Sequence, residues 1–194
     1  LRGNYGAGIG KVLLAAYGDD VRTRARAYAA AASDARMNGC DLPVVINSGS
    51  GNQGITASLP VYIYAKELGV SETKYALMGS SAGARMAAVM GDVGLEAYGF
   101  PDKSKAAAVL MAYTGYSDVS YDDPPTFMVQ GTNDSIAPVE VADWRMRAMK
   151  KLGTEVEYMR VEGMPHGFGL GTNTVAEGWV DRAASFFKHQ VEKN

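Results

Sequence analysis

The stretch Tyr75-Ala76-Leu77-Met78-Gly79-Ser80-Ser81-Ala82-Gly83-Ala84 is where the fold of this chain becomes readable. Tyr75 to Met78 is a short apolar run that suits a buried strand. Ser81 to Met90 is rich in small helix formers and stops at Gly91. Between them the residues fit G-x-S-x-G in the setting this motif needs, a strand before it and a helix after it. A serine in so sharp a turn requires neighbours without bulk two positions away, and Gly79 and Gly83 are those neighbours. The turn exposes the Ser81 hydroxyl and aims the start of the helix at it, so the Ala82 N–H can face a developing oxyanion. Ser81 is therefore a candidate nucleophile and Ala82 a candidate oxyanion donor.

Downstream the same alternation continues. Lys105 to Ala112 and Thr126 to Gln130 read as strands, the second after the Pro124-Pro125 stop. Pro138 to Leu152 reads as a helix, Glu155 to Val161 as a strand, and Thr174 to Gln190 as a closing amphipathic helix. Strands alternating with helices predict an α/β architecture, a mostly parallel sheet with helices on both faces. A serine hydroxyl becomes nucleophilic only when a base takes its proton and an acid orients that base. Asp134 closes Gly131-Thr132-Asn133-Asp134 just after the strand at 126–130, at the sheet edge where functional groups collect. It also suits a cap for the helix that begins near Pro138. His166 sits in Gly163-Met164-Pro165-His166-Gly167-Phe168, after the strand at 155–161. The other histidine, His189, stands beside Lys188 and Gln190 on the last helix and reads as solvated. Serine, aspartate and histidine, each following a strand, form the pattern of a catalytic triad.

The chain has 194 residues, 47% apolar and 21% charged, with a net charge of -2. That is enough for one core and argues against nucleic-acid binding through bulk charge. No apolar run reaches the ~20 residues needed to cross a bilayer, and no export signal is visible, so no membrane partner and a cytoplasmic location are expected. Cys40 is the one cysteine, which excludes an intrachain disulfide and a cysteine-only metal cage; no metal and no cofactor are expected. Near the N-terminus, Gly3, Gly6, Gly8 and Gly10 lead to Lys11, but Val12 follows where a phosphate loop needs Ser or Thr. Residues 1–18 therefore read as a flexible or helix-capping segment. Residues 20–38 and 58–69 read as helices. Pro43 to Ile46 reads as a buried strand or the end of a packed helix, giving a candidate strand at 43–47 before the turn-rich Asn47 to Asn52.

Three motifs carry a resemblance: Met78-Gly79-Ser80-Ser81-Ala82-Gly83, the run from Pro124 through Gln130-Gly131-Thr132-Asn133 to Asp134, and Pro165-His166-Gly167-Phe168. Through them residues 74–194 resemble the C-terminal part of an α/β-hydrolase, of the acetylesterase and carbohydrate-esterase-like branch related to prolyl-oligopeptidase-type domains. The resemblance implies a truncated α/β-hydrolase fold, with Ser81 as nucleophile, Asp134 as acid and His166 as general base. It also implies a small-molecule ester substrate with a short, acetyl-type acyl group, processed through an acyl-enzyme. Residues 36–54, from Arg36-Met37-Asn38-Gly39-Cys40 to Gln53-Gly54, resemble a different family, proteins related to the iron-sulfur L-serine dehydratase α subunit and L-cysteine desulfidase. That family is largely helical and holds its cluster with several cysteines, which Cys40 alone cannot replace. The expectation is a chimera, an atypical, mainly helical segment at 1–72 joined to a hydrolase core at 73–194, by natural fusion, engineering or misassembly.

In the resembled fold a glycine-rich loop of His-Gly-Gly type supplies a second oxyanion donor, and no such motif is present. The nearest substitute is the run at 43–46 with its following loop, which makes the backbone N–H groups near Gly49 to Gly51 candidates, Gly49 first among them. If residues 1–72 stay helical instead, the nucleophile strand lies at a sheet edge, a position that invites pairing into a homo-oligomer. Other functions remain open at this point: a peptidase or amidase on the same scaffold, a hydrolase-like chimera impaired by the missing donor, and an iron-sulfur serine or cysteine lyase fragment. Tyr113, Tyr116, Tyr121 and Phe168 read either as pocket-lining residues or as ordinary half-buried aromatics. Met86 and Met90 read as core packing.

Overall fold

Residues 3–44, 50–70, 74–98 and 105–193 are described by the structure, a computed structural model. They belong to two units, residues 1–71 and 72–194. In the first, α1 (Ile9–Tyr17), α2 (Val21–Met37) and α3 (Gly51–Glu67) follow one another, and α2 packs against both of the others. The glycine-rich start thus ends in a helix, with Gly8 as its N-cap at φ 72°. Glycine has no side chain to cap with, and the task falls to Asp34 of α2. Its carboxylate accepts hydrogen bonds from the N–H groups of Ala7 (3.2 Å), Gly8 (2.9 Å) and Ile9 (3.3 Å). α3 begins at Gly51, earlier than expected, because the Ser50 hydroxyl accepts the Gln53 N–H and caps the turn-rich segment into a helix. Pro60 is carried inside it. Of the candidate strand at 43–47, Pro43 and Val44 have no regular structure, and residues 45–49 lie outside the described residues.

The second unit is a four-stranded parallel sheet in the order β1 (Ala76–Ser80), β2 (Ala108–Ala112), β3 (Thr126–Gly131), β4 (Val156–Val161). The helices are α4 (Ala82–Val93), α5 (Val139–Lys151) and α6 (Trp179–Lys193). β2 and β3 are buried along their whole length, as expected of strands covered on both faces. The period-two alternation of β2 sorts its side chains. Ala108, Leu110 and Ala112 pack with Phe127, Trp179, Ala183 and Phe186 under α6. Val109 and Met111 pack with Ala84, Ala88, Met146 and Met149 under α4 and α5. Helices therefore cover both faces, and among the described residues β1 is an edge strand. No described helix is long and apolar enough to cross a membrane.

Two expectations need correcting. α6 starts at Trp179 and not at Thr174, because Gly178 at φ 83° lies outside helical space and the preceding residues form turns, with the Thr174 hydroxyl donating to the Gly171 carbonyl. Met86 is 62% exposed, so of the two methionines assigned to the core it lies outside it.

The β2–β3 connection, residues 113–125, contains no helix, and a buried arginine takes that place. Arg145 on α5 is fully buried and pairs with Asp123 at 3.0 Å, while its Nη1 donates to the Asp118 carbonyl at 2.8 Å. Burial pushes the Asp123 carboxyl up and the Arg145 guanidinium down, and each charge partly offsets the other's penalty.

The Asp34 contacts lead to an expected outcome. Asp34→Ala strips α1 of its cap and lowers stability by about 1 kcal/mol, as loss of a helix cap does. Urea unfolding of the full chain followed by far-UV circular dichroism measures this, and an unchanged midpoint would contradict the capping role.

Candidate active site

The register of the sheet brings the functional loops to one edge. Ser80 pairs with Ala112, and the next N–H along, that of Ser81, donates to the Ala112 carbonyl at 2.9 Å. Ser81 then turns at φ 54°, ψ -121°, a conformation rare for a residue with a side chain, and α4 starts at Ala82. The two glycines of the motif are not equivalent. A Cβ on Gly79 would sit 2.1 Å from the Gly83 carbonyl oxygen, whereas a Cβ on Gly83 would meet nothing within 4 Å. The steric argument made from sequence therefore applies to Gly79 alone.

The loops that carry Asp134 and His166 are fastened to each other. Thr132 N–H donates to the Val161 carbonyl at 2.9 Å, Asn133 N–H to the Met164 carbonyl at 3.1 Å, and Gly163 N–H to the Thr132 hydroxyl at 2.7 Å. The Met164 carbonyl would lie 2.1 Å from a Cβ on Gly131, so glycine is required for the two loops to close. Their side chains form one chain of hydrogen bonds. The Ser81 hydroxyl lies 2.8 Å from His166 Nε2, and His166 Nδ1 lies 2.8 Å from Asp134 Oδ2. A neutral imidazole carrying its proton on Nδ1 donates to the carboxylate and accepts from the hydroxyl. The Asp134 side chain is fully buried and that of His166 is 17% exposed.

Burial alone would raise the Asp134 carboxyl. Hydrogen bonds from the Ala137 N–H (2.7 Å), His166 and the Ile136 N–H (2.9 Å) outweigh burial and hold it below its ordinary value. The capping reading of Asp134 thus holds in part: it caps the turn at 136–137, while the N-cap of α5 is Pro138.

Two residues that support this arrangement were not singled out for that role from sequence. Gln130, fully buried, donates to Asp134 Oδ2 at 2.9 Å and to the Ala137 carbonyl at 2.7 Å, and accepts the Thr114 N–H at 3.1 Å. An uncharged amide at the end of a buried strand was the available signal, since such a group must find partners. Tyr113, at φ 39°, stands edge-on to the His166 ring, 5.2 Å between centroids, and edge-on to Phe168 at 4.8 Å. Tyr121 is 84% exposed, and the His189 side chain is 58% exposed.

A cleft of about 370 Å³ opens over Ser81 and His166, lined also by Ala82, Arg85, Tyr116 and Ile136. As the first residue of α4, Ala82 has an N–H without an intrahelical acceptor. Gly49, the other donor expected from sequence, lies outside the described residues. Among the described residues no cluster of His, Cys, Asp or Glu could hold a metal ion. The single thiol of Cys40 does not fit an iron-sulfur cluster.

A parallel sheet with a serine at the strand-to-helix turn after β1 defines the α/β-hydrolase fold, and the comparisons agree. Esterase 2 of Thermogutta terrifontis, solved phosphorylated by paraoxon, is 28% identical with a TM-score of 0.54, covering 69% of this chain and 60% of that one. A carboxylesterase of Lactobacillus plantarum shares the fold at 17% identity and a TM-score of 0.55, covering 76% and 70%. The family model described as prolyl oligopeptidase family matches residues 90–194, more than half the chain. The chain belongs to that family.

The model described as serine dehydratase alpha chain matches residues 1–94. A UPF0597 protein of Desulfitobacterium hafniense is 68% identical over 74 residues, 38% of this chain but 17% of that protein. The chain thus spans about a sixth of the length of such curated relatives. Two families meet here as in a chimera, and their matches hand over at 90–94 while the fold divides between 71 and 72. β1 and Ser81 belong to the hydrolase sheet by hydrogen bonding and α4 packs on it, although the dehydratase match runs across all three.

Two outcomes follow from this geometry. Gly79→Ala abolishes a correctly formed elbow and, with it, turnover or soluble expression, whereas Gly83→Ala is tolerated; thermal unfolding and ester turnover of the pair check this. Because the folded Asp134 carboxyl is held low, its contribution to stability is fully present above the unfolded value of about 3.9 and is lost as pH falls through the folded value. The stability advantage of the wild type over Asp134→Asn, measured by urea unfolding, therefore shrinks on acidification below about pH 4.

Proposed function

We propose that residues 72–194 form a serine ester hydrolase acting on small esters with short acyl groups. His166 Nε2 takes the Ser81 proton, Ser81 Oγ bonds to the ester carbonyl carbon, and the Ala82 N–H receives the oxyanion. The imidazolium, oriented and stabilised by Asp134, returns its proton to the leaving alcohol as the carbon–oxygen bond breaks. Water, deprotonated by the same nitrogen, then bonds to the acyl carbon, the carbon–Oγ bond breaks, the acid leaves and the imidazolium returns its proton to Ser81 Oγ. The observation that carries this reading is the unbroken line of hydrogen bonds from the Ser81 hydroxyl through His166 to the buried Asp134 carboxylate. The phosphorylation of the Thermogutta esterase by paraoxon supports it, since such reagents trap an activated nucleophile.

The test is labelling with a fluorophosphonate and localisation of the adduct by mass spectrometry. Ser81 is the expected site. Ser81→Ala and His166→Ala lower turnover of p-nitrophenyl acetate by roughly 10³-fold or more. An adduct elsewhere, or undiminished turnover in Ser81→Ala, would refute the reading. The family description favours an amide as the competing substrate, and matched ester and anilide substrates distinguish the two.

A further inference from the structure

Arg85 lies one helical turn beyond Ser81, on the same face of α4 and roughly 6 Å further along its axis. Its side chain lines the cleft and is exposed, and among the described residues it makes no ion pair. Its one ring contact is with Tyr116, whose centroid is 5.8 Å from the guanidinium carbon. A second guanidinium, that of Arg145, lies 5.0 Å from the same ring, but it is buried and already paired with Asp123. Tyr116 is thus shared by two arginines with different employment, and Arg85 is the one whose charge faces the cleft unneutralised. A contact with a ring face uses the cation's charge and leaves its N–H donors available for a planar, bidentate acceptor.

The one carboxylate among the residues lining the cleft, Asp118, does not pair with Arg85. Its carbonyl accepts from Arg145, and its side chain accepts a hydrogen bond from the Ser117 hydroxyl at 3.5 Å.

We propose that this cleft takes esters that bear an additional ionised carboxylate, held by the Arg85 guanidinium against the Tyr116 ring while the ester carbonyl lies at Ser81. The assignment deepens the ester-hydrolase reading and rests on it for the word ester. The carboxylate site itself stands on Arg85, Tyr116 and the cleft. Arginine suits this role better than lysine would, because its fork matches both oxygens of a carboxylate.

Three acetate esters of one shape test it on the full chain: 4-acetoxybenzoate, its neutral methyl ester, and 4-acetoxyphenyl-trimethylammonium. In the wild type, kcat/KM for the carboxylate ester exceeds that for the methyl ester by about tenfold, the scale of one solvent-accessible charge-assisted hydrogen bond. Arg85→Gln brings that ratio close to one, and Asp118→Asn does not lower it. A ratio unchanged in Arg85→Gln, or a preference for the ammonium ester, would overturn the proposal.

Binding separates this outcome from failure of the hydrolase reading. In Ser81→Ala protein, which cannot acylate, calorimetry gives a tighter Kd for 4-acetoxybenzoate than for its methyl ester, and adding Arg85→Gln removes the difference. That selectivity in Ser81→Ala, together with a wild type that hydrolyses none of the three esters, would sink the hydrolase reading and leave the carboxylate site standing. Equal binding of the two esters would sink the carboxylate site alone.

Discussion

The first three strands of the sheet end by the same device. The first N–H past each strand donates to a main-chain carbonyl of the next strand: Ser81 to Ala112, Tyr113 to Val129, Thr132 to Val161, each at 2.9 Å. A parallel ladder has slanted, evenly spaced bonds, so a strand end is always staggered against its neighbour. That stagger fixes where the chain leaves the sheet. The strained backbone of Ser81 and of Tyr113 persists because the residues before them are held by the ladder and those after them by a helix or by Gln130.

The interior supports the same edge from below. Asp134 is a buried carboxylate with four donors around it, His166, Gln130 and the N–H groups of Ile136 and Ala137. A buried charge so surrounded is tolerated where an unpaired one would neutralise itself. Its geometry is over-determined, and through it the His166 ring is held in one orientation. Gln130 extends the order sideways, since the same amide that touches Asp134 also holds the Thr114 N–H at the wall of the cleft. Arg145 performs the comparable service for residues 118–123, where the chain crosses without a helix.

Much of this was legible before any coordinates. The apolar runs at 108–112 and 126–130 are continuous because both faces are covered, and continuity is a strong strand signal between turn residues. Ser81, Asp134 and His166 were legible because each follows a strand, and a parallel sheet sends all such residues to one edge. What escaped was tertiary. Ile9–Tyr17 is a helix whose cap comes from Asp34, a residue of another helix that no local pattern could pair with it. Gly51 and Asn52 read as part of a turn-rich stretch because Asn, Ser and Gly favour turns, yet the Ser50 cap recruits them into α3, which starts seven residues before the expected helix at 58–69. Gln130 and Tyr113 act through contacts across the sheet, which spacing along the chain does not encode.

Ser81, like His166 and unlike Asp134, follows a strand with a single described neighbour. β2 and β3 are clamped from two sides and sealed by α4, α5 and α6, so the centre of the domain opens only when everything does. β1 is held by β2 and by α4, and local opening of an element with fewer neighbours needs less free energy than global unfolding. The alignment of Ser81 with His166 therefore spans the sheet from one described edge strand to the other, whereas that of His166 with Asp134 depends on the adjacent strands β3 and β4.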